Sequence, residues 1–136
     1  MTTHIVFCYG TLRKGQSNHA ILNGARCIEE HCWTKGKLFD TYLGYPVFTH
    51  SIPTDNVYGE LYEVTDEGLV ALDELEGFHG EDSHDNLYER IVQEVYTTTG
   101  EMKASVYIEG KNQDLCKQYI SSGDWNEYCT QSEHEK

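Results

Sequence analysis

The residues of this chain best suited to chemistry lie in two stretches, TDEGLVALDELEGF (residues 65–78) and FCYGTLRKGQSNH (residues 7–19). In the first, Thr65 and Asp66 read as capping residues, and leucines at 69, 72 and 75 recur at helical spacing. That pattern predicts a helix over residues 66–76, ended near Gly77. At about 100° per residue the leucines form one apolar stripe, and Glu76 falls about 40° from its centre. Glu74 points to the opposite side and Asp73 lies at the border. Glu76 is thus an acid aimed at the core from the last residue of its helix. Burial there disfavours the charged form, and the electronegative helix C-terminus pushes the same way. Both move the carboxyl group towards the range where it takes and returns protons near neutrality. The competing reading is a surface glutamate at a frayed helix end, paired with Arg90 or water. Periodicity does not separate the two.

The second stretch is an apolar run over residues 4–9, read as a short buried strand, that ends in Tyr9-Gly10-Thr11-Leu12. It is no P-loop, since no G-x-x-x-x-G-K-[ST] follows, and it lacks G-x-G-x-x-G. What remains is a strand end whose turn can aim successive backbone N–H groups at an oxygen-rich ligand. Gly10 would let that ligand approach closely; the plain alternative is an ordinary strand-to-loop turn. Arg13 and Lys14 read as surface charge, although with Arg90 they are candidates for a positive patch. Tyr88 borders an irregular loop and is placed towards a pocket. Arg90, on the same strand face, is either a buried ion-pair partner or an anion contact.

Other groups carry weaker signals. His79 and His84 stand among Glu81, Asp82 and Asp85, a composition that could gather a divalent metal, but no fixed ligand spacing is met. No G-x-S-x-G elbow supports a serine triad, and no local pattern supports Cys-His catalysis. His19 reads as a packing or surface residue.

These groups need a frame. Ser17 or Asn18 could cap a brief helix through Leu22, ended by Gly24. GKLFDTY and YPVFTH read as strand pieces broken at Gly36 and at Gly44-Tyr45-Pro46, and VYGELYEV as a strongly alternating strand. After the acidic loop, LYERIVQEVYTTTGEMKASVYIEG predicts two strands joined by a turn at Gly100. DLCKQYISSGDW reads as a short helix, followed after about residue 125 by a frayed polar tail. The mixture predicts an α+β fold, a curved or closed mixed sheet with a few packed helices.

The 136 residues make one domain with a modest core. A formal net charge of −13 repels phosphate backbones and argues against a nucleic-acid partner. No apolar run approaches the roughly 18 residues that span a bilayer, so no membrane role is expected. MTTHIVFCYG has no basic segment ahead of its apolar stretch and does not read as a secretion signal. The expectation is a cytoplasmic protein whose five cysteines are reduced structural thiols.

Taken together, YGTLRKGQSNH, YGELYEVTDEGLVALDELEGF and YERIVQEV resemble the γ-glutamylcyclotransferase-like family, in its γ-glutamylamine cyclotransferase or AIG2-like branch. The resemblance runs from about residue 5 to about residue 110, and the order of the three motifs makes it specific. It implies a small mixed β-barrel flanked by short helices. It also implies a pocket floored by Tyr9, Gly10, Thr11 and Leu12 and walled by Tyr88, with Glu76 as the essential acid. The implied reaction is closure of a γ-glutamyl substrate's own α-amine onto its γ-carbonyl, giving 5-oxoproline and a free amine. No cofactor or metal is implied. Substrate identity is open, because FHGEDSHDNL could be a lid, a selector or a plain insertion. A non-catalytic binder of a small carboxylate ligand is the rival reading.

Overall fold

The computed structural model describes residues 3–22, 24–80, 83–110 and 114–134, with side chains through Thr130 in the last stretch. The chain runs β1 (Thr3–Cys8), a single 3-10 turn (His19–Leu22), β2 (Arg26–Asp40), β3 (Pro46–Thr49), β4 (Asp55–Thr65) and α1 (Asp66–Glu76). It continues through β5 (Tyr88–Thr97), β6 (Gly100–Glu109), β7 (Gln118–Ile120) and α2 (Trp125–His134). Five strands in the order β2-β4-β1-β6-β5 close into a barrel because β5 also pairs with β2. β3 and β7 extend the sheet from the far end of β2. The β1–β6 pair is parallel, through Val6 and Ser105, and the other pairs are antiparallel. The expected α+β mixed barrel with short flanking helices is therefore the observed fold.

The side-chain period of two along β1 explains its unbroken apolar run. Phe7 and Tyr9 pack inside with Leu38, Phe48, Val57, Leu61 and Val106. Val6 and Cys8 pack outward with Tyr62, Val64 and the α1 leucines Leu69 and Leu72. Both faces of the wall are thus covered, and fully burying a side chain such as Phe7 or Leu61 stabilises by about 1.5–3 kcal/mol. β4 shows the same arrangement. Its alternation suggested one solvated face, yet Gly59, Glu60, Leu61 and Tyr62 are all buried.

Three expectations need correction. β2 is not broken at Gly36 but runs through it, changing partner there from β4 to β3. A side chain at Gly36 would collide with the Phe48 ring at 2.4 Å, so the glycine makes room for a core aromatic. The helix expected within residues 114–125 is absent: Gln118–Ile120 form β7 on β2. The segment read as a frayed tail carries α2, whose first residue, Trp125, is buried in the barrel cluster. Pairing with β2 decided the first and packing of Trp125 into the barrel core the second, and local propensity carries no record of either. Among the described residues, no helix is long and apolar enough to cross a membrane.

Candidate active site

The local sequence around α1 fixes where Glu76 must stand. The Thr65 hydroxyl accepts a hydrogen bond from the Gly68 N–H at 3.1 Å, and Asp66 and Glu67 fill the first turn, where the helix dipole favours acids. At the other end Gly77 is left-handed (φ 67°), which only glycine adopts freely. Its N–H bonds the Glu74 carbonyl at 3.3 Å, and the Phe78 N–H bonds the Asp73 carbonyl at 2.9 Å, the Schellman pattern. The Leu87 N–H then donates to the Gly77 carbonyl at 3.0 Å and ties the stop to the start of β5. Glu76 is the last helical residue, held rather than frayed.

One turn earlier, Asp73 clamps the helix to the barrel. It accepts Arg90 Nη1 at 2.5 and 2.6 Å and the Tyr107 hydroxyl at 2.6 Å. Arg90 also lies over the Phe78 ring, 4.9 Å from its centroid. Arg90 is therefore an ion-pair partner of Asp73, and the surface pairing of Glu76 with Arg90 does not form. Of the α1 leucines, Leu69 and Leu72 are buried, whereas Leu75 stands partly exposed beside Glu76.

Glu76 lines a small cavity of about 30 Å3 with Phe7, Cys8, Tyr9, Gly10, Thr11 and Leu12 on one wall and Tyr45, Pro46, Tyr88 and Tyr107 around them. The cavity is roomy enough for a few atoms. It adjoins a cleft of about 360 Å3 that shares Thr11, Tyr45, Glu76 and Tyr88. All six residues singled out in the sequence, Tyr9, Gly10, Thr11, Leu12, Glu76 and Tyr88, therefore come together. No described residue gives the Glu76 carboxylate a hydrogen bond or an ion pair. Burial pushes its pKa up from the usual 4.5 to about 7.

The aromatic walls are fixed by their own hydroxyls. Tyr9 donates to the Tyr107 carbonyl at 2.6 Å and Tyr88 to the Pro46 carbonyl at 2.5 Å. Burial, then the Glu76 charge, raises both the Tyr88 hydroxyl and the Cys8 thiol well above their ordinary values. Cys8 is accordingly a neutral thiol and a poor nucleophile.

The turn opposite Glu76 is held from below. The N–H groups of Gly10, Thr11 and Leu12 meet no backbone acceptor among the described residues. A side chain at Gly10 would meet the Pro46 ring at 2.7 Å, so the glycine is needed for the close packing of the turn on Pro46. Asn18 braces the turn twice, its N–H to the Thr11 carbonyl at 2.9 Å and its side-chain amide to the Thr11 hydroxyl at 3.0 Å.

Arg13, read as surface charge, is 8% exposed and forms the floor of this loop. Its Nε reaches Glu60 at 3.1 Å and its Nη1 reaches Asp124 at 2.8 Å. Glu60, 4% exposed, also accepts the Lys14 N–H at 3.0 Å and the Tyr62 hydroxyl at 2.7 Å. Asp124 in turn accepts the Glu127 N–H at 3.2 Å at the start of α2. Lys14 Nζ pairs with Glu30 on the surface. Each of the three cations offered as an anion patch thus has a carboxylate partner.

Sequence reasoning missed Cys8, Tyr45, Pro46 and Tyr107 in the cavity and the Arg13–Glu60 pair beneath it. Glu60, inside the apolar alternation of VYGELYEV, was the one available signal, because a buried acid requires donors. Among the described residues no cluster of three or more metal-ligating side chains occurs. The backbone N–H of His79 donates to Asn86 Oδ1 at 2.5 Å, and Glu81 and Asp82 lie outside the described residues.

Fold and site together define a small-barrel protein with one unpaired carboxylate set against a backbone turn at a ligand-sized cleft. The model of the family described as gamma-glutamyl cyclotransferase, AIG2-like, matches residues 6–127, and the chain belongs to that family. A Halalkalibacterium halodurans protein described as "Putative gamma-glutamylcyclotransferase BH1612" is 38% identical over 104 residues, 76% of this chain and 90% of that one. The γ-L-glutamyl-butirosin B γ-glutamyl cyclotransferase of Niallia circulans is 33% identical over 123 residues, 90% of this chain and 76% of that one. The crystal structure of YkqA from Bacillus subtilis superposes with a TM-score of 0.79 at 32% identity over 98% of this chain. This chain spans 43% of YkqA.

Proposed function

We propose that the protein is a γ-glutamyl cyclotransferase in which Glu76 carries the protons and the turn Tyr9-Gly10-Thr11-Leu12 holds the γ-glutamyl group. The observation that carries this reading is the half-buried Glu76, which has no hydrogen-bond or ion-pair partner among the described residues and shares a cavity with a turn whose N–H groups at residues 10–12 meet no backbone acceptor among them. The substrate's α-amine attacks its own γ-carbonyl carbon, a new C–N bond closes the five-membered ring, and the original amide C–N bond breaks. The products are 5-oxoproline and a free amine. The nucleophile belongs to the substrate, so the protein need supply only geometry and proton traffic.

Geometry comes first. The amine and the carbonyl are already tethered in the substrate, so folding the glutamyl chain into a reactive turn against the walls of Tyr9, Tyr88 and Tyr107 removes only its rotamer freedom, about 2 kcal/mol, and aligns the attack. The N–H groups of Gly10, Thr11 and Leu12 offer donors to the oxygen that gains charge in the tetrahedral intermediate, and the rigid floor of Arg13 and Glu60 keeps them aimed. Glu76, with a pKa of about 7, takes a proton from the α-ammonium and returns one to the departing nitrogen. A group poised there does both jobs at neutral pH.

The direct test is incubation of the purified chain with a panel of γ-glutamyl amides, amino acids and peptides. Equimolar 5-oxoproline and free amine are expected from at least one of them. Binding of panel members without product, seen as thermal stabilisation alone, would overturn the catalytic reading.

A further inference from the structure

We propose that the outer cleft selects γ-glutamyl compounds whose leaving amine is uncharged and apolar, an alkyl or aryl amine rather than an amino acid or a diamine. The inference rests on the cyclotransferase reading, which puts the glutamyl group against the turn and leaves the 360 Å3 cleft beyond Glu76 for the departing amine.

The walls of that cleft are Leu43, Leu75 and Leu87 with the rings of Tyr45 and Tyr88. Its other polar side chains, Thr11, Ser17 and Asn18, are neutral, and the Asn18 amide donates to the Thr11 hydroxyl. Among the described residues no cation lines it, and the nearest ones in sequence to the site, Arg13, Lys14 and Arg90, already hold carboxylates. A substrate carboxylate pressed against these leucines would lose water and find only neutral hydroxyl and amide donors, with no cation to compensate its charge, at a cost in binding. A second cation gains nothing beyond the single carboxylate of Glu76, which the reaction itself occupies.

The mouth of the cleft is also built to present apolar surface. Leu43 is 62% exposed and Leu75 36% exposed, large apolar groups side by side at a concave opening. Leu43 is held there at a local cost. Tyr42, just before it, has φ 64°, and it is the one non-glycine residue with positive φ among the described residues. The conformation is pinned by the Tyr42 N–H on Asp40 Oδ1 at 2.8 Å and the Leu43 N–H on Thr41 Oγ1 at 3.1 Å. The Thr41 hydroxyl donates to the Tyr45 carbonyl at 2.7 Å and closes the loop. Three hydrogen bonds and a strained residue thus serve to set a leucine at the rim.

Matched substrates test this. γ-Glutamyl 3-methylbutylamide differs from γ-glutamyl-leucine only by the carboxylate, and γ-glutamyl pentylamide approximates γ-glutamyl 4-aminobutylamide without its terminal charge. The apolar member of each pair is expected to have a kcat/KM about tenfold or more above its charged partner, read as 5-oxoproline release. Leu43→Arg, at an exposed position, should shrink the preference for 3-methylbutylamide over leucine by about threefold or more, since it supplies the missing cation. Values within about twofold in both pairs, or a preference for a charged member, would overturn the proposal while leaving the reaction intact. If none of the four is turned over while another γ-glutamyl compound is, selection of apolar amines is wrong. If no γ-glutamyl compound is turned over, the cyclotransferase reading falls and takes this inference with it.

Discussion

Two glutamates flank the strand end that carries the turn, and the protein keeps them in opposite ways. Glu60 stands opposite Cys8 in the β1–β4 ladder and is surrounded by donors: the Arg13 guanidinium, the Lys14 N–H and the Tyr62 hydroxyl. Glu76 shares a cavity with Cys8 and has no such donor among the described residues. A buried charge with a complete set of partners makes a rigid strut, because each lone pair is satisfied where it sits. A buried acid without partners is a destabilised group whose proton affinity rises. The same residue type thus serves as scaffold on one side of the turn and, in the proposed reaction, as reagent on the other. What differs is the exposure of each carboxylate and the set of donors that surrounds it.

The comparison can be broken from either side. Glu76→Gln removes the proton carrier and should lower kcat by about a thousandfold, within the usual range for general acid–base groups. In the wild type the low-pH limb of the rate should rise through about pH 7, because the carboxylate must be ionised to take the ammonium proton. A pH–rate profile with full activity retained in Glu76→Gln would remove this residue from the mechanism.

On the scaffold side, Arg13→Ala leaves Glu60 as a buried, uncompensated charge and should cost about 3 kcal/mol of stability, read as a lower urea midpoint. Adding Glu60→Gln to that variant should recover part of the loss, since the orphaned charge is then gone. Equal midpoints for Arg13→Ala and the wild type would show that the strut holds nothing.

Glu76 also leaves its own mark on stability against pH. Glu76 binds its proton more tightly in the folded chain, at about 7 against the ordinary 4.5, so the native state holds more protons between those values. Stability contributed by protonated Glu76 is present below about pH 4.5 and is lost as pH rises through about 7, with a total change of about 3 kcal/mol. Glu76→Gln should lack this decline and be the more stable protein at pH 8, a gain of stability bought with activity. Thermal melts from pH 5 to 8 on both proteins would decide it. The smallest effect concerns the frame alone: Thr65→Ala removes the cap of α1 and should cost about 1 kcal/mol in the same melts, with the pH dependence of Glu76 intact.

Much of the site was legible because it is written locally. The helix 66–76 is specified by its own residues: Thr65 at one end, leucines on one stripe and Gly77 at the other. The register of Glu76 follows from that, as does the strand-and-turn reading of residues 4–12. The failures were of another kind. Residues 118–120 and the start of α2 owe their structure to β2 and to the barrel core, many tens of residues away in the chain. Arg13 looked like surface charge because its partners, Glu60 and Asp124, stand on β4 and at the start of α2.

The sequence by itself therefore determined the placement of an acid at the end of a capped helix and of a glycine turn at the end of a buried strand. Caps, helical period and strand alternation act over a few residues, and those were enough. Only the tertiary structure decided that these two features face one cavity, that Glu60 is caged and that Glu76 is not. Hydration and hydrogen-bond satisfaction belong to the surroundings of a side chain, and a closed barrel assembles those surroundings from strands far apart in the chain.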